Sequence, residues 1–170
     1  MNYNADDLPV MPEGVCRVSV CNFYTTNRDG EAMFTKNNDR SVRVFVEDAD
    51  GVRASDLLIL TKEMEWKVVR WLKAFGHEQG TIEGVNLSDL ADDDVMRDLF
   101  DGQVCYVNVQ HDGIYKDRVN VNISPMGEMQ VSDTIQRREK ERWAAGEAGD
   151  AAEPVFASKN KAFKSEDIPF

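Results

Sequence analysis

The 170-residue sequence lacks most of the features by which a function shows itself early. No run of 18 apolar residues occurs, so no membrane-crossing helix is expected. The opening stretch MNYNADDLPVMPEG has neither a basic region nor an apolar core and does not read as a secretory signal. The cysteines are three, Cys16, Cys21 and Cys105, with no C-x-x-C among them, which fits neither a disulfide framework nor a four-ligand zinc site. A reduced, cytoplasmic setting is expected. Nucleotide-binding, hydrolase and metalloprotease signatures (G-x-x-x-x-G-K, G-x-S-x-G, H-E-x-x-H) are missing, so no enzyme activity, cofactor or metal is expected. Basic charge is also short: 20 Lys and Arg stand against 31 Asp and Glu, a net charge of −11 that argues against a globally basic, duplex-coating protein.

What is present is one domain's worth of patterned sequence followed by a tail. The hydrophobic share, 42%, suffices for a core of roughly 100–130 residues. Residues 15–24 alternate, with Cys16, Val18 and Val20 on one face and Arg17, Ser19, Cys21 and Phe23 on the other. Residues 40–47 repeat this, Val42, Val44 and Val46 inward and Arg43 and Phe45 outward; residues 52–60 read as a third strand. Turn-forming residues at 27–30 and 48–51 separate the three. Residues 103–110 and 114–123 read as a hairpin around His111, Asp112 and Gly113. Between strands three and four the period becomes helical: Met64, Val68, Trp71, Leu72 and Phe75 share a face, with Thr61 as the expected cap and Gly76 as the stop. A second short helix is expected at 92–100.

Three strands, a helix and two strands predict an all-β domain with one or two helices, a five-stranded OB-type barrel with the helix between strands 3 and 4. A small α+β sandwich would read similarly. The expected boundaries are a domain over 1–125, a flexible linker over 126–164 in which 134–145 can form a charged helix capped by Ser132 or Asp133, and a terminal segment 165–170.

The outward strand faces carry aromatics beside cations: Arg17 with Phe23 and Tyr24, Arg43 with Phe45, and Tyr106 with Lys116 and Arg118, while the first loop adds Phe34, Lys36 and Arg40. Rings that stack bases, interleaved with cations that track phosphates, suit single-stranded nucleic acid. The competing reading is that several of these rings belong to the core. The acidity does not forbid such a surface. Residues 76–102 hold eight acids and one base, whereas residues 34–46 hold three bases and one acid, and charges beyond about 8 Å are screened at physiological salt. Asp92, Asp93 and Asp94 could suggest a two-metal nuclease. Three successive helical residues point about 100° apart, however, so a helix-capping role is the better reading.

The sequence ends Ser165-Glu166-Asp167-Ile168-Pro169-Phe170. This ending resembles the acidic tip of bacterial single-stranded DNA-binding proteins, which typically end D-D-D-I-P-F. Residues 167–170 match and Ser165 and Glu166 depart, leaving the tip one charge lower. The resemblance covers these six residues by motif and the whole chain by layout, and the family's base-stacking residues do not carry over to residues 1–124. It implies a bacteriophage-type member acting in the bacterial host cytoplasm in DNA replication, recombination and repair. On the outward-face pattern above, the protein is expected to bind single-stranded DNA through Arg17, Phe23, Tyr24, Phe34, Lys36, Arg40, Arg43, Phe45, Tyr106, Lys116 and Arg118. The resemblance implies that it recruits partner proteins through Glu166, Asp167, Ile168, Pro169 and Phe170, and homo-oligomers are compatible with this plan. An RNA-binding OB module is the alternative binding reading, and a carboxylate-metal nuclease the enzymatic one.

Overall fold

The computed structural model describes residues 9–152. The terminal segment 165–170 and the end of the expected linker lie outside the described residues. The chain divides into two compact units, residues 1–136 and 137–170.

The first unit is mostly β. Strands β1 (Gly14–Tyr24), β2 (Met33–Phe34), β3 (Arg40–Glu47), β4 (Arg53–Ile59), β5 (Val104–Tyr115) and β6 (Arg118–Met126) form one antiparallel sheet. β1 is its hub: residues 14–19 pair with β5 and residues 19–24 with β3. β4 continues from β3 and β6 from β5, while the short β2 pairs with the start of β3. Among the described residues no ladder joins β4 to β6. The alternation expected from sequence holds where it matters for the core. Cys16, Val18, Val20, Val42, Val44, Val46, Leu58, Val107, Val109 and Ile123 are all buried, because every second residue of each strand faces the same side.

The β5–β6 hairpin departs from expectation. Its turn is Lys116-Asp117, both in the left-handed region (φ 51° and 62°), not His111-Asp112-Gly113. The latter residues form an irregularity where the register shifts between His111 and Ile114. Two successive positive φ values give the turn that matches the right-handed twist of the flanking strands. Gly113 takes the positive φ (73°) that the bulge requires.

Helix α1 (Glu65–Ala74) follows a 3-10 turn at Lys62–Met64. Thr61 precedes that turn and makes no side-chain cap, contrary to expectation. The stop is as expected: Gly76 N–H donates to the Lys73 carbonyl (2.9 Å) and His77 N–H to the Leu72 carbonyl (3.2 Å), a paired C-terminal capping motif that needs the positive φ of Gly76. Val68, Trp71 and Leu72 are buried as their spacing predicts. Helices α2 (Gln79–Glu83) and α3 (Asp93–Leu99), with a 3-10 turn at Leu87–Ala91 between them, add Ile82, Leu90, Met96 and Leu99 to the core. α2 and that turn carry too short a pattern to be read in advance.

Residues 126–152, read from composition as linker, hold the end of β6, a 3-10 turn at Glu128–Gln130 and helix α4 (Asp133–Ala152). Ser132 caps α4 as expected, its Oγ accepting from Ile135 N–H at 3.3 Å. In the second unit Glu139 is flanked by Arg138 (3.4 Å) and Arg142 (3.3 Å).

One polar cluster fastens α1 to the sheet. Asp56, on the inward side of β4, accepts from Trp71 Nε1 (2.9 Å) and pairs with Lys67 Nζ (2.7 Å), which also donates to the Leu57 carbonyl (3.1 Å). A buried carboxylate is tolerated only when paired and hydrogen-bonded. Asp56→Ala leaves the indole N–H without its acceptor and Lys67 without its partner, and is expected to cost about 2–4 kcal/mol in urea unfolding. Asp56→Asn keeps an acceptor for Trp71 and should cost less. Equal unfolding midpoints for wild type and Asp56→Ala would refute the clamp.

Candidate nucleic-acid interface

Residues opposed across an antiparallel ladder point to the same side. The register therefore builds two outward rows across β1, β3 and β4: Tyr24, Arg43 and Leu57 in one, Asn22, Phe45 and Ser55 in the next. Tyr24 meets Phe45 edge to face, centroids 5.3 Å apart. Arg43 Nη1 donates to Ser55 Oγ at 2.9 Å, which lays the guanidinium flat along the sheet.

The loop between β1 and β3 is folded rather than open. Asn27 Oδ1 accepts from the Asp29 and Glu31 amides (both 2.9 Å), Thr26 bridges to Ala32, and Asn38 turns the chain with φ 66°. Arg40 Nη1 donates to the Met33 (3.3 Å) and Ser41 (2.9 Å) carbonyls, and its guanidinium lies 5.9 Å from the Phe34 ring centroid. Between this loop and the sheet lies a concavity of about 640 Å³ whose lining includes Phe34, Lys36, Arg43, Leu57 and Ile59. Tyr24 is 49% and Phe34 55% exposed, high values for aromatic rings.

Tyr24, Phe34, Lys36, Arg40, Arg43 and Phe45 thus belong to one region of the surface. Lys116 and Arg118 are exposed at the far end of the β5–β6 hairpin, with Lys116 Nζ 5.5 Å from the Tyr115 ring. Of the expected stacking rings, one is buried and another packs partly against the core. Tyr106 is only 7% exposed and pairs in register with Arg17 on the β1–β5 part of the sheet, away from the β3–β4 rows. Phe23 packs partly buried against the core. The cause is a register shift in β1 between Val20 and Asn22, which inverts the alternation: Phe23 now opposes the buried Val44, and Tyr24 faces out beside Arg43.

Sequence reasoning missed Leu57 and Ile59, which look like core residues, and Tyr115, 68% exposed at the hairpin end. An aromatic beside a predicted turn was the available signal for Tyr115.

The carboxylate cluster is dispersed. Asp92 caps α3, accepting from Asp94 N–H at 2.8 Å; Asp93 accepts from the Thr25 hydroxyl; Asp94 pairs with Arg97 at 2.9 Å. Both histidines are tied to backbone, His77 Nε2 donating to Leu99 O (2.9 Å) and His111 Nε2 to Met11 O (2.7 Å). No group of three potential metal ligands occurs among the described residues. The cysteines are free thiols. Burial first, then the nearby Glu47, pushes Cys21 up to about 11, and burial, reinforced by Cys16, pushes Cys105 up to about 12. Neither is a thiolate at neutral pH, so neither is an activated nucleophile. Burial also raises the carboxyl of Asp101 above its ordinary range.

No protein-family model and no curated protein matches the sequence.

The inverted parity at Phe23 and Tyr24 is testable by stability. Phe23→Ala is expected to cost about 2–3 kcal/mol, part of the cost of truncating a fully buried ring. Tyr24→Ala should cost under about 1 kcal/mol, chiefly its contact with Phe45. Chemical denaturation of the two variants decides it, and the reverse order of costs would restore the uninterrupted alternation.

Proposed function

We propose that the protein is a non-catalytic, sequence-tolerant single-stranded DNA-binding protein. Its domain would be an OB-type barrel that coats exposed strands during replication, recombination and repair. The observation that carries this reading is the outer face of β2, β3 and β4, where Phe34, Lys36 and Arg43 line a cleft, Arg40 lies beside Phe34, and Tyr24 and half-buried Phe45 adjoin Arg43 on the sheet. Stacking on aromatic faces is indifferent to base identity, and cations that follow the backbone read no sequence. The fold supports the reading too. The pairings β1–β3, β3–β4, β1–β5 and β5–β6, with α1 between β4 and β5, are those a five-stranded Greek-key barrel would contain, without the β4–β6 ladder that would close it. Such barrels bind oligonucleotides on the second and third long strands and the loops beside them. Here those are β3, β4, the β1–β3 loop and the β5–β6 hairpin.

The deciding experiment is a titration of labelled single-stranded DNA, duplex DNA and RNA at several salt concentrations. Single-stranded DNA should bind tightest. Phe45→Ala should weaken its binding by about 1–3 kcal/mol with little change in unfolding midpoint. Arg43→Ala should flatten the salt slope by about 0.7, the value for one phosphate contact on a single strand. Preference for RNA would redirect the assignment to an RNA-binding module. Phe45→Ala that unfolds the domain without altering residual affinity would remove that ring from the interface.

The terminal segment belongs to the same reading. Ile168 and Phe170 are apolar, Pro169 restricts the chain, and Glu166 and Asp167 bring negative charge. That combination suits a partner pocket with an apolar floor and a basic rim. Ending the chain at Pro169 should abolish recovery of host replication and recombination proteins in a pull-down while leaving DNA affinity undiminished. Equal recovery by both forms would mean the segment is not a docking peptide.

A further inference from the structure

Helix α1 has an outer side that its buried stripe does not explain. Trp66 is 56% exposed. With Val69, Arg70, Lys73, Glu65 and the preceding Lys62 it lines a second shallow concavity, of about 490 Å³. Lys62, Trp66, Arg70 and Lys73 are spaced by four, four and three residues, the interval that places side chains on one helical face. In a chain of net charge −11, three cations around an exposed indole form an unusual local balance. Glu63 and Glu65 lie alongside, and Glu65 meets Lys62 at 3.4 Å. Both partners are well exposed, so this pair holds Lys62 only weakly. Arg70 is anchored by Nε, which donates to the Pro125 carbonyl at 3.2 Å; its four Nη donors take no part in that bond.

The position of this patch matters as much as its chemistry. Ile59 lines the cleft between β2, β3 and β4, and Lys62 lines the patch. Three trans peptide steps separate them, so their Cα atoms are at most about 11 Å apart. One lining residue of each concavity therefore stands at the chain's exit from β4. An acidic peptide would also find cations here. But the apolar lining is one indole and Val69 on an open helix side, with no enclosed pocket to anchor a peptide side chain. A flat ring with cations spaced along it fits a base and its phosphates better.

We infer that the outer face of α1 is a second contact surface for single-stranded DNA, continuous with the cleft. Trp66 stacks a base, and Lys62, Arg70 and Lys73 meet phosphates. The inference rests on the function proposed above and extends its track.

The test uses the full chain and labelled oligothymidylates of about 4 and about 16 nucleotides, the span of site sizes for one such domain. Trp66→Ala should weaken the longer oligomer roughly 5- to 150-fold, the equivalent of one lost base stack. It should leave the shorter one, which the cleft alone accommodates, unchanged. Trp66→Phe should retain most of the affinity, because a ring remains. Lys73→Ala should flatten the salt slope for the longer oligomer by about 0.7 and leave the shorter one's slope unaltered. An unchanged urea midpoint checks that Trp66→Ala is folded. Equal binding of the longer oligomer by wild type and Trp66→Ala overturns this inference and leaves the cleft standing. Wild type that binds neither oligomer overturns both. Capture of an oligoglutamate probe through Trp66, with DNA affinity unaffected by the substitution, would reassign the patch to acidic peptides.

Discussion

The structure turns on one strand serving two ladders. β1 gives its first half to β5 and its second half to β3, and Ser19 is paired on both sides, with Val104 and with Glu47. A strand that changes neighbours along its length must bend, and the register shift between Val20 and Asn22 is where it does so. One extra residue adds local twist and breaks the period of two. Val20 N–H donates to the Gln103 carbonyl (2.8 Å) and the Val20 carbonyl accepts from Gly102 N–H (3.1 Å), so the chain entering β5 is held at the bend. The same shift sends Phe23 to the core and Tyr24 to the surface. The candidate interface therefore follows from the way the sheet curves.

That origin explains which parts of the fold were legible in advance. Strand existence and core parity follow from alternation, and every valine expected inward on β1 and β3 is buried. A bulge leaves no trace in an alternating pattern, so Phe23 was placed outward. The hairpin turn was misplaced for a related reason. Asp112-Gly113 is the stronger turn signal by composition, but Gly113 serves a bulge, while Lys116 and Asp117 make the turn without a glycine. Asp56 was invisible as a clamp because its partners come from a helix 11 and 15 residues further on. Trp66 is silent in the sequence because the helical apolar stripe marks only the buried side of α1. α4 has no apolar stripe, and propensity with a Ser132 cap was the only advance signal for it.

Charge is distributed by engagement as much as by count. The three acids at the start of α3 each have work within the fold: Asp92 on the helix end, Asp93 on Thr25, Asp94 on Arg97. Asp48 closes the β3–β4 turn by accepting from Asp50 and Val52 amides, both at 2.9 Å. Of the three at the start of α3, Asp94 is paired with a cation; Asp92 and Asp93 are oriented but keep their charge, and Asp93 stands against Thr25 beside Tyr24, while charges beyond about 8 Å are screened. A net charge of −11 thus coexists with two surfaces that carry cations beside rings.

The cations on those surfaces are held by partners of a particular kind. Arg40 donates to carbonyls, Arg43 to a hydroxyl, Arg70 to a carbonyl, and Lys62 meets an exposed carboxylate. Such bonds orient the side chains without neutralising the arginines. A neutral acceptor contributes about half as much as an ionised one, so a phosphate can add to or displace these partners at a net gain. Lys67, locked on Asp56, is held differently and stands as a structural cation. This contrast separates positive charges available to an anionic ligand from those the fold has consumed. It places the available ones beside Phe34, Phe45 and Trp66, the arrangement on which the proposed single-stranded DNA binding rests.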